Sequence, residues 1–292
     1  RIVGVLPLID VASPLLGRNL ISTAFTVGGG IVADDENAAT FLAAAAIEEG
    51  RARRAGYVEL RSEIARIGGW ETKDQIYAGF DRALAAEEEA NFEAIPRRRR
   101  AEVRKALDAL DAGELSYAVD GDIDAFYALY AEALRDHGTP IFPRRFAHAL
   151  MDEFSDRADI LTIRAEGAPI LSLLSFAFRD RVMPYYVGAG AKARAHRAFD
   201  LAIWLKMRDG AKRGARVFDF GRSKYGAGSF DYKAHWGFAP RPLEYQYALL
   251  RARKTPNVNP QNPKFAIVSA AWRRLPTPVA NFAGPMLARH LA

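Results

Sequence analysis

Two stretches of the chain share one order of apolar and polar positions. The first opens with GVLPLID at Gly4, runs through LISTAF at 20–25 and the glycines of VGGG at 27–30, takes a helical period from Asp34, and ends in YVELRS at 57–62. The second opens with GAPILSLLSF at Gly167, runs through MPYYVGAG at 183–190, takes a helical period from about His196, and ends in VFDFGRS at 217–223. Val27 and Val187 lie 160 positions apart, as do Tyr57 and Val217, and Arg61 and Arg222 lie 161 apart. A nearly constant offset predicts one unit present twice: antiparallel strands, a glycine turn, an amphipathic helix and a further strand. That is an α+β layout with a helix packed on a mostly antiparallel sheet. Residues 1–61 and 159–223 are expected to superpose.

The second helix has the sharper pattern. Ala198, Leu201, Ala202 and Leu205 form its apolar stripe, Lys206, Arg208, Asp209, Lys212 and Arg213 are expected outside, and Gly214 ends it. Between the copies, IPRRRRAEVRK places six basic residues from Arg97 to Lys105. Pro96 suits the first helical position, and Val103, Leu107 and Leu110 recur at spacings of four and three opposite the arginines. This helix reads either as a solvated face joining two domains or as a phosphate-binding face for tRNA or a nucleotide-linked substrate. Arg97, Arg98, Arg100 and Arg104 are its candidate polyanion ligands.

Composition narrows the class. A chain of 292 residues, half of them apolar, is long enough for two domains. The absence of Cys excludes disulfides, thiolate metal sites and a cysteine nucleophile, and a cytoplasmic monomer is the expectation. No apolar run reaches the eighteen or more residues of a spanning helix, which leaves a peripheral contact at the inner face of a membrane as the expected membrane role. The chain begins at Arg1 with a strand-like segment, so the first domain is expected to be incomplete at its amino terminus.

Familiar site motifs are missing. Gly221 to Gly228 is no Walker loop, since no Lys-Ser or Lys-Thr follows Gly226, and neither glycine run fits G-x-G-x-x-G. GRSKY approaches the G-x-S-x-G elbow of hydrolases, but Tyr225 stands where a second glycine must relieve crowding. His137, His148, His196, His235 and His290 show no ligand-like pairing, so no metal is expected. The remaining chemistry lies in FDFGRSKYGAGSFDYKAHWGF, 218–238, where Arg222, Lys224, Lys233 and His235 stand beside aromatic residues. Such groups suit an anion or a developing oxyanion, and acyl transfer from an already activated donor needs no protein nucleophile. Phe218, Phe220 and Trp236 read as core.

FDFGRSK, then G-x-G, then FDYKAHWGF followed by PRPLEY, resembles the FemAB-like aminoacyl or peptidyl transferases of the GNAT superfamily. With IPRRRRAEVRKAL, HGTPIFPRRF and AWRRLPTPVANFAGPMLARHLA, the likeness extends over nearly the whole chain and is greatest to the subgroup associated with PEP-CTERM and exosortase exopolysaccharide systems. The resemblance implies two tandem GNAT-like acyltransferase domains. These would be 1–94, the basic linking helix 95–113, and 114–250 carrying the motif, with 251–292 as a carboxy-terminal extension packing on the domains. It implies transfer of an aminoacyl or other acyl group to an amine of a saccharide or peptidoglycan-type cell-envelope precursor. The donor would be a co-substrate, aminoacyl-tRNA or acyl-CoA, with no resident cofactor.

In the family an aromatic-Lys pair in a motif like F-K-x-x-F-G serves donor binding and catalysis. Tyr232-Lys233 followed by Trp236-Gly237 occupies it here, with Tyr in place of Phe. The carry-over makes Lys233 and Tyr232 the catalytic candidates and Arg222, Ser223, Lys224, Tyr225, Tyr185, Tyr186, His235 and Trp236 the substrate-binding ones, although Tyr185 and Tyr186 also read as plain strand aromatics. Two other readings stay open: a non-catalytic carbohydrate- or nucleic-acid-binding module on the same fold, and an acyl-CoA-dependent N-acyltransferase. VGAGAKARAH before the second helix lacks the Q/R-x-x-G-x-G/A pattern of CoA users.

Overall fold

The computed structural model describes residues 1–13, 17–61, 66–255, 263–288 and 290. In chain order the elements are β1 (Gly4–Val5), β2 (Ile9–Ser13), β3 (Gly17–Ile21), β4 (Val32–Ala33), α1 (Glu36–Ala52), β5 (Tyr57–Leu60), β6 (Glu71–Ala83), α2 (Glu88–Glu93) and α3 (Arg97–Asp111). There follow β7 (Leu115–Val119), α4 (Ile123–His137), α5 (Arg144–Phe154), β8 (Ala158–Ala165), β9 (Ala168–Phe178), β10 (Arg181–Ala189), α6 (Ala198–Lys212) and β11 (Val217–Lys224). The chain closes with α7 (Gly228–His235), β12 (Arg241–Leu249), α8 (Pro263–Arg273) and α9 (Thr277–Ala288). Two compact units are present, 1–78 with 241–266 and 286–292, and 79–240 with 267–285.

In the first unit the strand order is β2-β3-β5-β12-β6, with β1 and β4 forming a separate antiparallel pair. β2 and β3 are antiparallel, and β3 runs parallel to β5 with Leu20 opposite Val58. A parallel neighbour needs a crossover, and α1 supplies it. Asp35 caps α1 by accepting from the Ala38 N–H at 2.8 Å, and Ala39, Ala43 and Ala46 pack against Leu20, Val58 and Leu60.

In the second unit the order is β6-β11-β10-β9-β8-β7. Strands β7 to β10 form an antiparallel meander, and β11 joins β10 in parallel after the α6 crossover. The sheet is covered on both faces. Leu161, Ile163, Leu171 and Leu173 meet α3 and α6, while Ile160 and Leu174 meet Phe126 of α4 and Ala147 of α5. This two-sided burial explains why GAPILSLLSF reads as a continuous apolar run rather than an alternation.

The duplication is therefore topological: β2-β3-α1-β5 and β9-β10-α6-β11 are each an antiparallel pair, a crossover helix and a parallel strand. The offset between the two copies is not uniform. Leu20 faces Val58 and Val182 faces Phe218, so Val58 and Phe218 keep the 160 offset while Leu20 and Val182 lie two further apart. Val27 falls in the turn after β3, and Val187 lies inside β10. LISTAF leaves the strand after Ile21, and Thr23 and Phe25 turn with positive φ. Nor is VGAG a turn. Gly188 lies within β10, and a Cβ there would stand 2.2 Å from the Tyr130 backbone nitrogen, so the strand keeps glycine to let α4 lie against it.

Two helices also depart from their patterns. Lys206 is not outside: it is fully buried, and its ammonium reaches both Asp159 carboxylate oxygens, at 2.8 and 2.7 Å. On α3 the fully buried residues are Val103 and Ala106, with Leu107 and Leu110 partly covered, which rotates the buried face toward Arg99. The expected linking helix lies inside the second unit and β12 inside the first. Of the carboxy-terminal extension, residues 256–262, 289, 291 and 292 lie outside the described residues, as does Ser62 of YVELRS.

Candidate active site

β10 and β11 pair at only two positions, Arg181 with Val217 and Val182 with Phe218, although both strands run on. Two local features part them. Pro184 on β10 has no N–H to give a ladder, and the β9–β10 register shifts between Pro184 and Tyr186. On β11, Gly221 takes φ 68°, and its N–H turns to the Asp219 carboxylate at 2.9 Å. The strands diverge into a cavity of about 790 Å³, walled by β10, β11, the first turns of α6, and α7, all within the second unit.

Its lining is cationic. Arg99, Arg194, Arg197, Arg222 and Lys233 face it, and Asp200 is the carboxylate among them. Asp200 is held by three donors: the Arg99 guanidinium at 3.2 Å, the Tyr232 hydroxyl at 3.2 Å and the Trp236 indole N–H at 3.2 Å. Burial pushes its carboxyl up, against the opposing pull of Arg99 and the two hydrogen bonds. The Arg99 guanidinium also lies 4.9 Å from the Tyr232 ring centre, and the Arg197 Nε donates to Glu102 at 2.7 Å. One buried carboxylate thus fixes α3, α6 and α7 around the cavity.

Lys233 projects from α7 between the Phe80 and Phe220 rings, 5.6 and 5.3 Å from their centres, and donates to the Arg222 carbonyl at 2.9 Å. Burial lowers its ammonium to about 8, with Asp219 pulling it up and Arg222 down. The hydroxyl of Ser223, almost fully buried on the same wall, meets no partner among the described residues.

Of the residues singled out in the sequence, Lys233, Tyr232, Arg222, Ser223 and Tyr185 therefore share this cavity. Tyr186 packs with Tyr130 and Phe146 among the α4 and α5 aromatics instead. Tyr225 packs on Phe230, Lys224 is partly buried beyond the cavity with its ammonium lowered by burial, and His235 is exposed at the end of α7. Trp236 is wholly buried, so it reaches the site only through its bond to Asp200. Arg97, Arg98 and Arg104 lie exposed on α3, Arg104 over the Phe92 ring at 5.2 Å, and Arg100 is half-buried.

Arg99, Asp200, Arg194 and Arg197 also line the cavity, outside every motif singled out in the sequence. Arg99 had a signal: it precedes Val103 by four and shares the face of Val103 and Ala106. Asp200 had one too, as an acid inside the apolar stripe of Ala198, Leu201 and Ala202.

A duplicated α+β unit with parted parallel strands defines the class: the fold is two GNAT-like units in tandem. Residues 97–234, which include α3 and the whole cavity, match the family profile described as an acetyltransferase (GNAT) domain. Among solved structures the chain is similar to the crystal structure of FemX, at 13% identity and TM-score 0.66 over 92% of this chain and 88% of FemX. It is similar at 13% identity and TM-score 0.59 to the carboxy-terminal domain of a protein assigned as a lysylphosphatidylglycerol synthetase from Agrobacterium fabrum, over 90% and 84% of the two chains. A tandem GNAT protein from the clavulanic acid biosynthesis pathway aligns at 14% identity and TM-score 0.50, over 85% and 79%. No curated protein matches the sequence. These likenesses show a GNAT-like fold over most of the chain, and the profile marks a GNAT domain at 97–234.

Proposed function

We propose that the second unit is the catalytic one, moving an aminoacyl or other acyl group from an activated donor to an amine of a cell-envelope or exopolysaccharide precursor at the cytoplasmic side. The observation that carries this reading is the cationic cavity between β10 and β11, with the partly desolvated ammonium of Lys233 in its wall. The amine nitrogen attacks the acyl carbonyl carbon, forming C–N as the donor's ester or thioester bond breaks, and the proton lost by the amine leaves with the donor's oxygen or sulfur. Lys233 faces the tetrahedral oxyanion, and Tyr232 holds its place through Asp200. Arg222, Arg194 and Arg99 take the donor's phosphates, while the exposed Arg97, Arg98 and Arg104 extend that binding along a polynucleotide. The resemblance of 218–238 to the FemAB-like transferases and the name of the lysylphosphatidylglycerol synthetase relative favour an aminoacyl donor; the GNAT profile favours acyl-CoA as the second reading.

The test incubates the protein with charged tRNA or with acyl-CoA, together with cell-envelope precursors, and reads by mass spectrometry which acceptor gains mass. A gain with charged tRNA alone supports the first reading, and a gain with acyl-CoA alone supports the second. No gain with either, while a saccharide or nucleic acid still binds, would leave a non-catalytic binding module.

A further inference from the structure

We propose that the outer face of α9 rests on an anionic lipid surface. This helix is packed inside out. Its small residues face the protein: Ala280 is buried, and a Cβ on Gly284 would stand 3.0 Å from the Ile141 backbone nitrogen, so a side chain there would crowd Ile141. Its large apolar residues face away, with Phe282 79% and Val279 47% exposed and Met286 and Leu287 exposed in the next turn. Val279, Phe282 and Met286 follow at spacings of three and four, and α9 carries no charged side chain from Thr277 to Ala288. A helix on a water-facing surface turns its large apolar stripe inward, so an outward stripe of this kind marks a contact surface.

Charge identifies the partner. Residues 245–292 hold seven Lys or Arg and no Asp or Glu, a charge of +7, whereas the preceding 244 residues sum to −1. Arg273 and Arg274, just before α9, are exposed. A protein groove would match the apolar stripe but gives no reason for one sign of charge over so long a segment. Anionic headgroups above acyl chains match both.

The experiment sediments the full chain with vesicles of phosphatidylcholine alone and of phosphatidylcholine mixed with phosphatidylglycerol. The chain is expected to partition onto the mixed vesicles, less so as salt rises. Phe282→Asp should lower the partition by about tenfold or more, since burying one such side chain stabilises by about 1.5 kcal/mol or more. The pair Arg273→Glu and Arg274→Glu should lower it on the mixed vesicles without moving the melting temperature. Equal partition onto both vesicles, no partition onto either, or full partition by a folded Phe282→Asp chain would each overturn the proposal. So would a dimer in solution that Phe282→Asp dissolves, which would make a second copy the occupant. None of these outcomes bears on acyl transfer, which the inference does not require.

Discussion

Replacing Lys233 with Met should make the protein more stable at neutral pH and far less active. Burial holds the Lys233 ammonium at about 8, against 10.5 for the same group in an unfolded chain. Below pH 8 both states bind the proton, and the folded state bears the full cost of a desolvated charge, about 3 kcal/mol for a depression of this size. Between pH 8 and 10.5 the folded state has lost the proton while the unfolded chain keeps it, so this contribution to stability rises with pH until the cost is gone. Met keeps the apolar body, one heavy atom shorter, but loses the hydrogen bond to the Arg222 carbonyl, which returns about 1 kcal/mol. The variant should therefore exceed the parent by about 2 kcal/mol at pH 7 in urea denaturation, and the difference should vanish or reverse by pH 10.5. Taking the difference removes every other group that titrates in this range. If Lys233 serves the proposed acyl transfer, the rate should fall by about 10²- to 10³-fold, the loss typical of one oxyanion donor. Parallel stability profiles for the two proteins would refute the placement of a desolvated ammonium at Lys233, and an unchanged rate would refute its chemical role.

Gly188→Ala should destabilise by about 1–3 kcal/mol in urea, because the new methyl must push α4 from β10, whereas Gly68→Ala, with nothing within 4 Å of its Cβ, should be near neutral. Lys206→Met should cost about 3 kcal/mol by stranding Asp159 beside it, and adding Asp159→Asn should recover part of that loss in the same denaturation assay. If α3 carries a polynucleotide, alanine at Arg97, Arg98 and Arg104 should weaken tRNA binding and flatten the slope of log affinity against log salt by roughly 0.7–0.9 for each phosphate left without its arginine; an unchanged slope would leave these arginines a solvated face.

The α+β unit and its repetition are legible along the chain, because apolar period and turn residues are local properties. The crossover helix α6 could be read from Ala198, Leu201, Ala202 and Leu205, and the strand β9 from the apolar run at Gly167. The motif from Phe218 to Phe238 indicated the wall that carries Lys233, Tyr232, Arg222 and Ser223, since these residues stand close along one strand and helix. Tertiary structure decided what neighbouring elements impose. Lys206 looked solvated until Asp159, on a distant strand, gave its buried ammonium a partner. Gly188 looked like a turn until α4 was laid against it. The cavity itself exists because β10 and β11 stop pairing after Val182 and Phe218, and the pairing of two strands separated by a helix is written in neither strand. Asp200 then became the anchor of the site, because only the folded chain brings Arg99, Tyr232 and Trp236 to one carboxylate.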